Sequence, residues 1–454
     1  MHSSITAAYL ARYRSVLDAA PAPAELLPLT GAQRRFLITR RRDLRGRADI
    51  VPLFFAFPRG TVDLPHLRRA AVRLAARHPA LRGAFTTVRG TPVLRLGGPS
   101  VEVARVATDP PGPDGAAGPD GSAAAALRRA LLDWPADGPV LRLLLAAAPD
   151  DEEELLAVAL DHAACDEQSL GLVTADLTSA YEQDRGQDRE QEQGEEQDRR
   201  DGQGGVEAYR AAVEGQLAAE AAAASETAQV HWAARLGALD EAPPDEASRG
   251  GAAVGGVAWS TGMVAHRLPA ATGAARGGVF PALLDAVGVA ARRLTGDERV
   301  LALGYPWGGR PPGAEPVLGC FLNTLVHPAP PGPARGLDEL GAEWWDDLDH
   351  ADTPYDEVVR AARSAGARWS GALDGLLTFE DLNRRPPLVL GGTAGRETHL
   401  GGRPLAAPLA VSASHGEDLL VRLAWDRDRY RDADAEAAFG ALLATLRRHL
   451  GPAD

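Results

Sequence analysis

The chain has 454 residues, 45% of them hydrophobic, and a formal net charge of −14. That length implies more than one ordinary lobe, and the acidic balance excludes a general polyanion binder, whose affinity rests on clustered cations meeting many phosphates. The opening residues lack the cationic start and unbroken apolar core of an export signal, and no apolar run is long enough to span a bilayer. The chain is therefore expected to be cytoplasmic, with neither nucleic acid nor membrane as a partner.

The two cysteines, Cys165 and Cys320, are too few for a disulfide framework and form no C-x-x-C pattern, so they are read as reduced thiols with no metal site. All 48 basic residues are arginine. A phosphate-binding loop of the Walker type and a Schiff-base lysine are excluded, because each needs its lysine.

In "LPLTGAQRRF", Thr30 precedes Gln33 by three residues, the capping-box spacing that predicts a helix start. "IVPLFFAFP" predicts a strand. In "DLPHLRRAAVRLAARH", Leu67, Ala71 and Leu74 define one apolar helical face. "FTTVRGTPVLRL" predicts a hairpin turning at Arg89-Gly90. A Pro/Gly loop at 109–121 and a short helix lead to strands in "PVLRLLLAAA" and "LLAVAL", joined by the acidic turn at Pro149, Asp150 and Asp151. After the polar knot "DHAACDE", Leu170, Val173, Leu177 and Tyr181 step by three, four and four along one face of a helix.

Residues 184–205 contain no apolar side chain and interleave both charges, so they are expected to form a disordered or solvated connector. It separates a first lobe, 1–183, from a second, 206–454. The second is read as a helix reaching Trp232, a Gly/Ala/Pro linker to about Val257, and the strand "TGMVAHRL". An amphipathic helix ending at Gly296 precedes the strands "RVLALGYPW" and "CFLNTLVHP". Two helices, strands in "LDGLLTFEDL" and "EDLLVRLAWD", and a terminal helix complete it. Two α/β lobes of similar size are expected.

The knot "DHAACDE" crowds Asp161, His162, Cys165, Asp166 and Glu167 against the end of a buried strand. Three chemistries suit it. His162 titrates near working pH and can exchange a proton with an attacking amine or alcohol. Asp161, His162, Cys165 and Asp166 could ligate a metal, although four neighbours on one loop converge poorly on a tetrahedron. Cys165 could act as a nucleophile paired with His162, but its flanking alanines suggest burial. The plain alternative is a satisfied polar turn.

The knot resembles the HHxxxDG motif of nonribosomal peptide synthetase condensation domains. Asp161 stands in place of the first histidine, His162 is the second, Asp166 is the aspartate, and Glu167 replaces the glycine. Further stretches resemble other motifs of that family in the same order: "LPLTGAQRRF", "RHPALRGAF", "LGYPWGGRPPGAEPVLGCFLNTLV" and "HADTPYDEVV", with Trp232 where the family carries a tryptophan before its second lobe. The likeness extends over roughly residues 25 to 450. It implies two chloramphenicol-acetyltransferase-like lobes in a V-shaped pseudo-dimer with a central tunnel, within the α/β class.

The resemblance implies further that a peptidyl or acyl carrier protein, acting in trans, delivers an acyl group as a phosphopantetheine thioester. A small-molecule amine or alcohol attacks it, with amide the favoured product. No cofactor is held by the chain itself, which is expected to be a monomeric, free-standing condensation enzyme of secondary metabolism or antibiotic biosynthesis. His162 is the implied catalytic residue, as base or as orienting group. Asp166 is implied to be structural, and Arg82 is its expected buried partner; otherwise Arg82 is a surface arginine at a helix end. Arg310 and Asn323 are expected along the tunnel floor as structural hydrogen-bonding groups. Trp307 either lines the channel or packs in the core.

The departures from the family pattern have chemical consequences. Asp161, if close to His162, raises the imidazole pKa and favours its charged form. Glu167 brings bulk where glycine leaves room, and it either narrows the thioester channel or meets the cation of an aminated substrate. A noncatalytic relative that recruits a partner, and an acyltransferase using coenzyme A, are the alternative readings. The arginine-dense residues 34–47 are either a landing site for an acidic carrier and its phosphate or a solvated face.

Overall fold

The computed structural model describes residues 4–42, 49–108, 122–135, 137–148, 151–186, 191–240, 261–270, 277–332, 335–402 and 405–451. The loop at 109–121, the turn residues Pro149 and Asp150, and most of the Gly/Ala/Pro linker lie outside the described residues.

Four strands of the first half and one from the second build a five-stranded sheet in the order Arg396–Thr398, Ile50–Pro58, Glu153–Asp161, Leu141–Ala146, Val101–Arg105. The strand Glu153–Asp161 is antiparallel to both neighbours, with Leu160 opposite Val51 on one side and Leu141 on the other. Its central place explains its apolar run, since both faces are covered. Leu156, Val158 and Leu160 join the main core with Leu67, Leu74, Val173 and Leu177, while Ala157 and Ala159 meet Leu127, Leu131 and Trp134 on the other face. The hairpin turns as expected, with Arg89 and Gly90 both at positive φ, 49° and 78°.

The second half forms a six-stranded mixed sheet in the order Asn323–Ala329, Leu301–Trp307, Gly375–Asp381, Leu409–His415, Asp418–Asp426, Thr261–Pro269. The helices Val279–Thr295 and Asp432–Leu450 contribute Leu283, Val287, Leu442 and Leu446 to its core, beside Leu303, Leu377 and Val411. Gly296, at φ 64°, ends the first of these helices.

Two expectations about organisation are corrected. The segment read as an unstructured connector runs, from 191 onward, in one helix, Gln191–Ala223; residues 187–190 lie outside the described residues. Glu, Gln, Arg and Ala are good helix formers, and a helix needs no burial along its whole length to persist when one end is docked. The lobes also do not divide at residue 205. Tyr209, Val213 and Leu217 pack in the first lobe's core, as do Val317, Leu318, Phe321, Leu388 and Leu390. The strand Arg396–Thr398 completes the first sheet by pairing with Ile50–Pro58. No helix among the described residues is long and apolar enough to cross a membrane.

Candidate active site

The strand Glu153–Asp161 passes directly into a short 3-10 turn, His162–Ala164, and then into the helix Glu167–Gly186. The Asp161 carboxylate accepts from the Ala163 amide at 2.9 Å and starts the turn. His162 is held by its own amide, which donates to the Asp49 carbonyl at 2.8 Å. Its ring stacks on Phe36 with centroids 4.2 Å apart, and Nδ1 lies 3.2 Å from the Cys165 carbonyl. A carbonyl only accepts, so that contact places a proton on Nδ1.

The Asp161 carboxylate is committed to Arg40, whose Nη2 sits 2.5 and 2.6 Å from its two oxygens. Arg40 Nε also donates to Asp49 at 2.8 Å. Burial works against the Arg40 charge, but Asp161 and Asp49 together hold its pKa above the usual value. Arg40 was not foreseen as part of this site. Gln33, Phe36 and Arg40 lie three and four residues apart on the helix Gly31–Arg42, so one face of that helix supports the histidine turn. The capping box forms as expected, with Gln33 Oε1 accepting from the Thr30 amide at 3.0 Å. The same side chain then uses Nε2 to reach the Ala163 carbonyl at 2.8 Å.

Asp166 pairs with Arg310 and not with the expected Arg82. Arg310 Nη2 lies 2.5 Å from Asp166 Oδ1, both side chains being almost wholly buried. The carboxylate also accepts from the Ser169 amide and hydroxyl, each at 2.9 Å, and from the Phe321 amide at 3.1 Å. Arg310 further donates to the carbonyls of Ala314 and Val317. Arg82 is half-buried at the end of the short helix Pro79–Arg82, and its Nε has no hydrogen-bond partner among the described residues.

Between the lobes lies a cavity of about 2230 Å³. His162, Asp166 and Glu167 line it from one side, and Asn323, Glu380 and Arg422 from the other. Arg310, expected along the tunnel floor, does not line it, nor do Cys165 and Trp307, for the second of which core packing was the other reading. Cys165 is fully buried, and burial first, then the neighbouring Cys320 and Asp166, raise its thiol pKa well above normal, which rules against a thiolate nucleophile. Trp307 packs against the second core, and Arg310 is enclosed by its own loop. Asn323 donates through Nδ2 to the carbonyls of Ala351 and Thr353 at 2.7 Å.

Glu167 reaches across the cleft to Arg385, 3.2 Å away, and Arg385 also binds Glu397 at 3.0 Å and Glu380 at 3.4 Å. Burial, then Glu380, raise the Glu167 pKa against the pull of Arg385, to about 8. Its side chain is 46% accessible and lines the cavity. Arg385 and Glu397 were not foreseen, because nothing local in "DLNRRPP" or "GRETHL" marks them as neighbours of the histidine turn.

The arginine-dense stretch proves largely inward-facing where it is described. Arg34 pairs with Glu220 at 3.2 Å, Arg35 lies over the Tyr355 ring at 3.4 Å, and Arg40 is bound to Asp161. The side chains of Arg41, Arg42, Arg45 and Arg47 lie outside the described residues.

The fold is that of nonribosomal peptide synthetase condensation domains. The starter condensation domain of rhizomide synthetase superposes with a TM-score of 0.65 at 17% identity, over 94% of each chain. The X-domain from teicoplanin biosynthesis, also solved in complex with OxyB, gives 0.65 at 17% identity over 95% of this chain and 96% of that one. In sequence, 168 residues are 33% identical to the "Probable non-canonical nonribosomal peptide synthetase (NRPS) CymA" of Salinispora arenicola. That alignment takes in 37% of this chain and 2% of the relative's length. No family model matches the chain.

Proposed function

We propose that the protein transfers an acyl group from a carrier-protein phosphopantetheine thioester to a small nucleophile, with His162 as the catalytic base and orienting group. The observation that carries this reading is the position of the imidazole: held at the end of a rigid central strand, it lies on the wall of a cavity shared by both lobes. With Nδ1 engaged by a carbonyl, the neutral ring presents Nε2 to accept a proton from a nucleophile attacking the thioester carbonyl. Asp161, turned toward Arg40, does not compete for that role. Asp166 and Arg310 hold the loop from beneath.

The test is to incubate the protein with carrier proteins loaded with a panel of acyl groups, add amine and alcohol acceptors, and read products by mass spectrometry. Acyl transfer above the rate without protein supports the reading. Its absence across the panel, with the thioesters intact, contradicts it.

A second reading is a noncatalytic docking domain, favoured by the equal structural likeness to the teicoplanin X-domain, itself solved with a bound partner. It predicts stable association with a partner enzyme and no thioester consumption. Coenzyme A thioesters in the same panel distinguish a carrier-independent acyltransferase.

A further inference from the structure

On the helix Gly31–Arg42, Ala32, Arg35, Phe36 and Thr39 recur at helical spacing and all line the cavity, so this face of the helix is part of its wall. Phe36 carries the stacked His162 ring, with centroids 4.2 Å apart. Arg35 is therefore one residue from the aromatic that supports the imidazole. Its guanidinium carbon lies 3.4 Å from the centre of the Tyr355 ring, which lines the cavity from the other lobe.

The charge on Arg35 stands out among its neighbours. Arg299 and Arg360, on the same wall, are already neutralised, the first by Asp297 and Asp374 and the second by Glu357. Arg35 is half-buried, yet no carboxylate among the described residues pairs with it. Glu220 also lines the cavity, but it is bound to Arg34 at 3.2 Å and accepts from the Gly31 amide at 2.8 Å. Asp352 and Asp356 line it as well; both are exposed, and water weakens their pull on a guanidinium. A partly desolvated cation without a counter-charge gains most from an anion that a ligand brings.

We propose, resting on the acyl-transfer reading, that Arg35 binds the carboxylate of the acceptor, which is a small free acid and not a second carrier-bound thioester.

The chemistry of the pair fits. A guanidinium offers two parallel N–H donors to the two oxygens of a carboxylate. With its face on Tyr355, Arg35 keeps its edge for that fork, and the stack fixes the side chain before the ligand arrives, so less freedom is lost on binding. Both partners are charged at pH 7, since a carboxyl titrates near 4 and a guanidinium above about 12. A carrier-bound acceptor has its carboxyl tied up as the thioester and brings no such anion. Amino acids and hydroxy acids meet the requirement alike, because Arg35 holds the acceptor and takes no proton from it.

Binding is read first, by saturation-transfer NMR at pH 7 with phenylacetate and its neutral counterpart phenylacetamide as probes. The wild type is expected to prefer phenylacetate by about tenfold, equivalent to about 1.4 kcal/mol. Arg35→Met, which removes the charge, should show no preference, and Arg35→Lys, which keeps the charge without the fork, an intermediate one. Equal binding of the two probes by the wild type, or an unaltered preference in Arg35→Met, overturns the proposal. A second arm measures acylation of phenylalanine against phenylalaninamide, and of phenyllactate against phenyllactamide, from a loaded carrier. The acids should show a KM about tenfold below that of their amides in the wild type, and Arg35→Met should erase the difference with little change in kcat. If Arg35→Met instead raises the KM of the loaded carrier alone, the residue holds the phosphate of the arm and the proposal falls. If acids and amides are acylated alike by the wild type, the carboxylate inference fails and the acyl-transfer reading stands. If no acceptor is acylated, the acyl-transfer reading fails and takes the acceptor assignment with it.

Discussion

The Asp166–Arg310 pair separates two effects that a single arginine substitution would otherwise confuse. Both side chains are nearly inaccessible, and the carboxylate is satisfied by three further donors. Replacing Arg310 with methionine strands a buried charge and is expected to cost about 3–5 kcal/mol in urea unfolding. Arg82→Met, which breaks no ion pair with Asp166, should stay within about 1 kcal/mol. Reversal of that order would return Arg82 to the role expected from sequence. Glu167 carries a pH signature of its own. Its folded pKa, raised to about 8, lies above its unfolded value near 4.3. The stability it contributes is present below the unfolded pKa and is lost as pH rises through about 8. Thermal midpoints of the wild type should therefore fall relative to Glu167→Gln between pH 4.5 and 8 and run parallel above that range; a constant offset would mean an ordinary acidity.

Among the elements, the helix Gln191–Ala223 differs most from expectation. Its polar first part has no apolar stripe to betray a partner, so composition alone suggests a connector. Its second part places Tyr209, Val213 and Leu217 at steps of four, a helical face that was legible, yet nothing local told which lobe it would meet. Leu217→Ala removes a wholly buried side chain from the first core and is expected to cost about 2–5 kcal/mol. A loss below about 0.5 kcal/mol would show that the helix is not docked there. The helix Gly31–Arg42 gives the opposite lesson. Its capping box could be read directly, and its supporting face of Gln33, Phe36 and Arg40 was present in the spacing. The Arg310 pairing was harder to find, since its partner lies 144 residues away in the chain and no short pattern carries a contact of that range.

At the scale of the whole molecule, the two lobes are interlocked. Val317, Leu318, Phe321, Leu388 and Leu390 fill the first core, and the strand Arg396–Thr398 closes its sheet. Most strands of both sheets and the histidine turn were legible by period, but the strands Val101–Arg105 and Leu409–His415 were not read. The crossing segments were not, because they are short, irregular and apolar only in places. Residues 1–205 expressed alone should consequently lack the cooperative unfolding transition of a folded lobe in circular dichroism; a sharp transition would contradict the interlocking. The wall of the cavity likewise draws on both halves, so His162 lies on a wall that neither half supplies by itself. The most direct measurement of that role is single-turnover acyl transfer from a loaded carrier by the wild type and His162→Ala at equal thermal stability. The account predicts a rate lower by about 10²–10⁴ in the variant; an unchanged rate would contradict it.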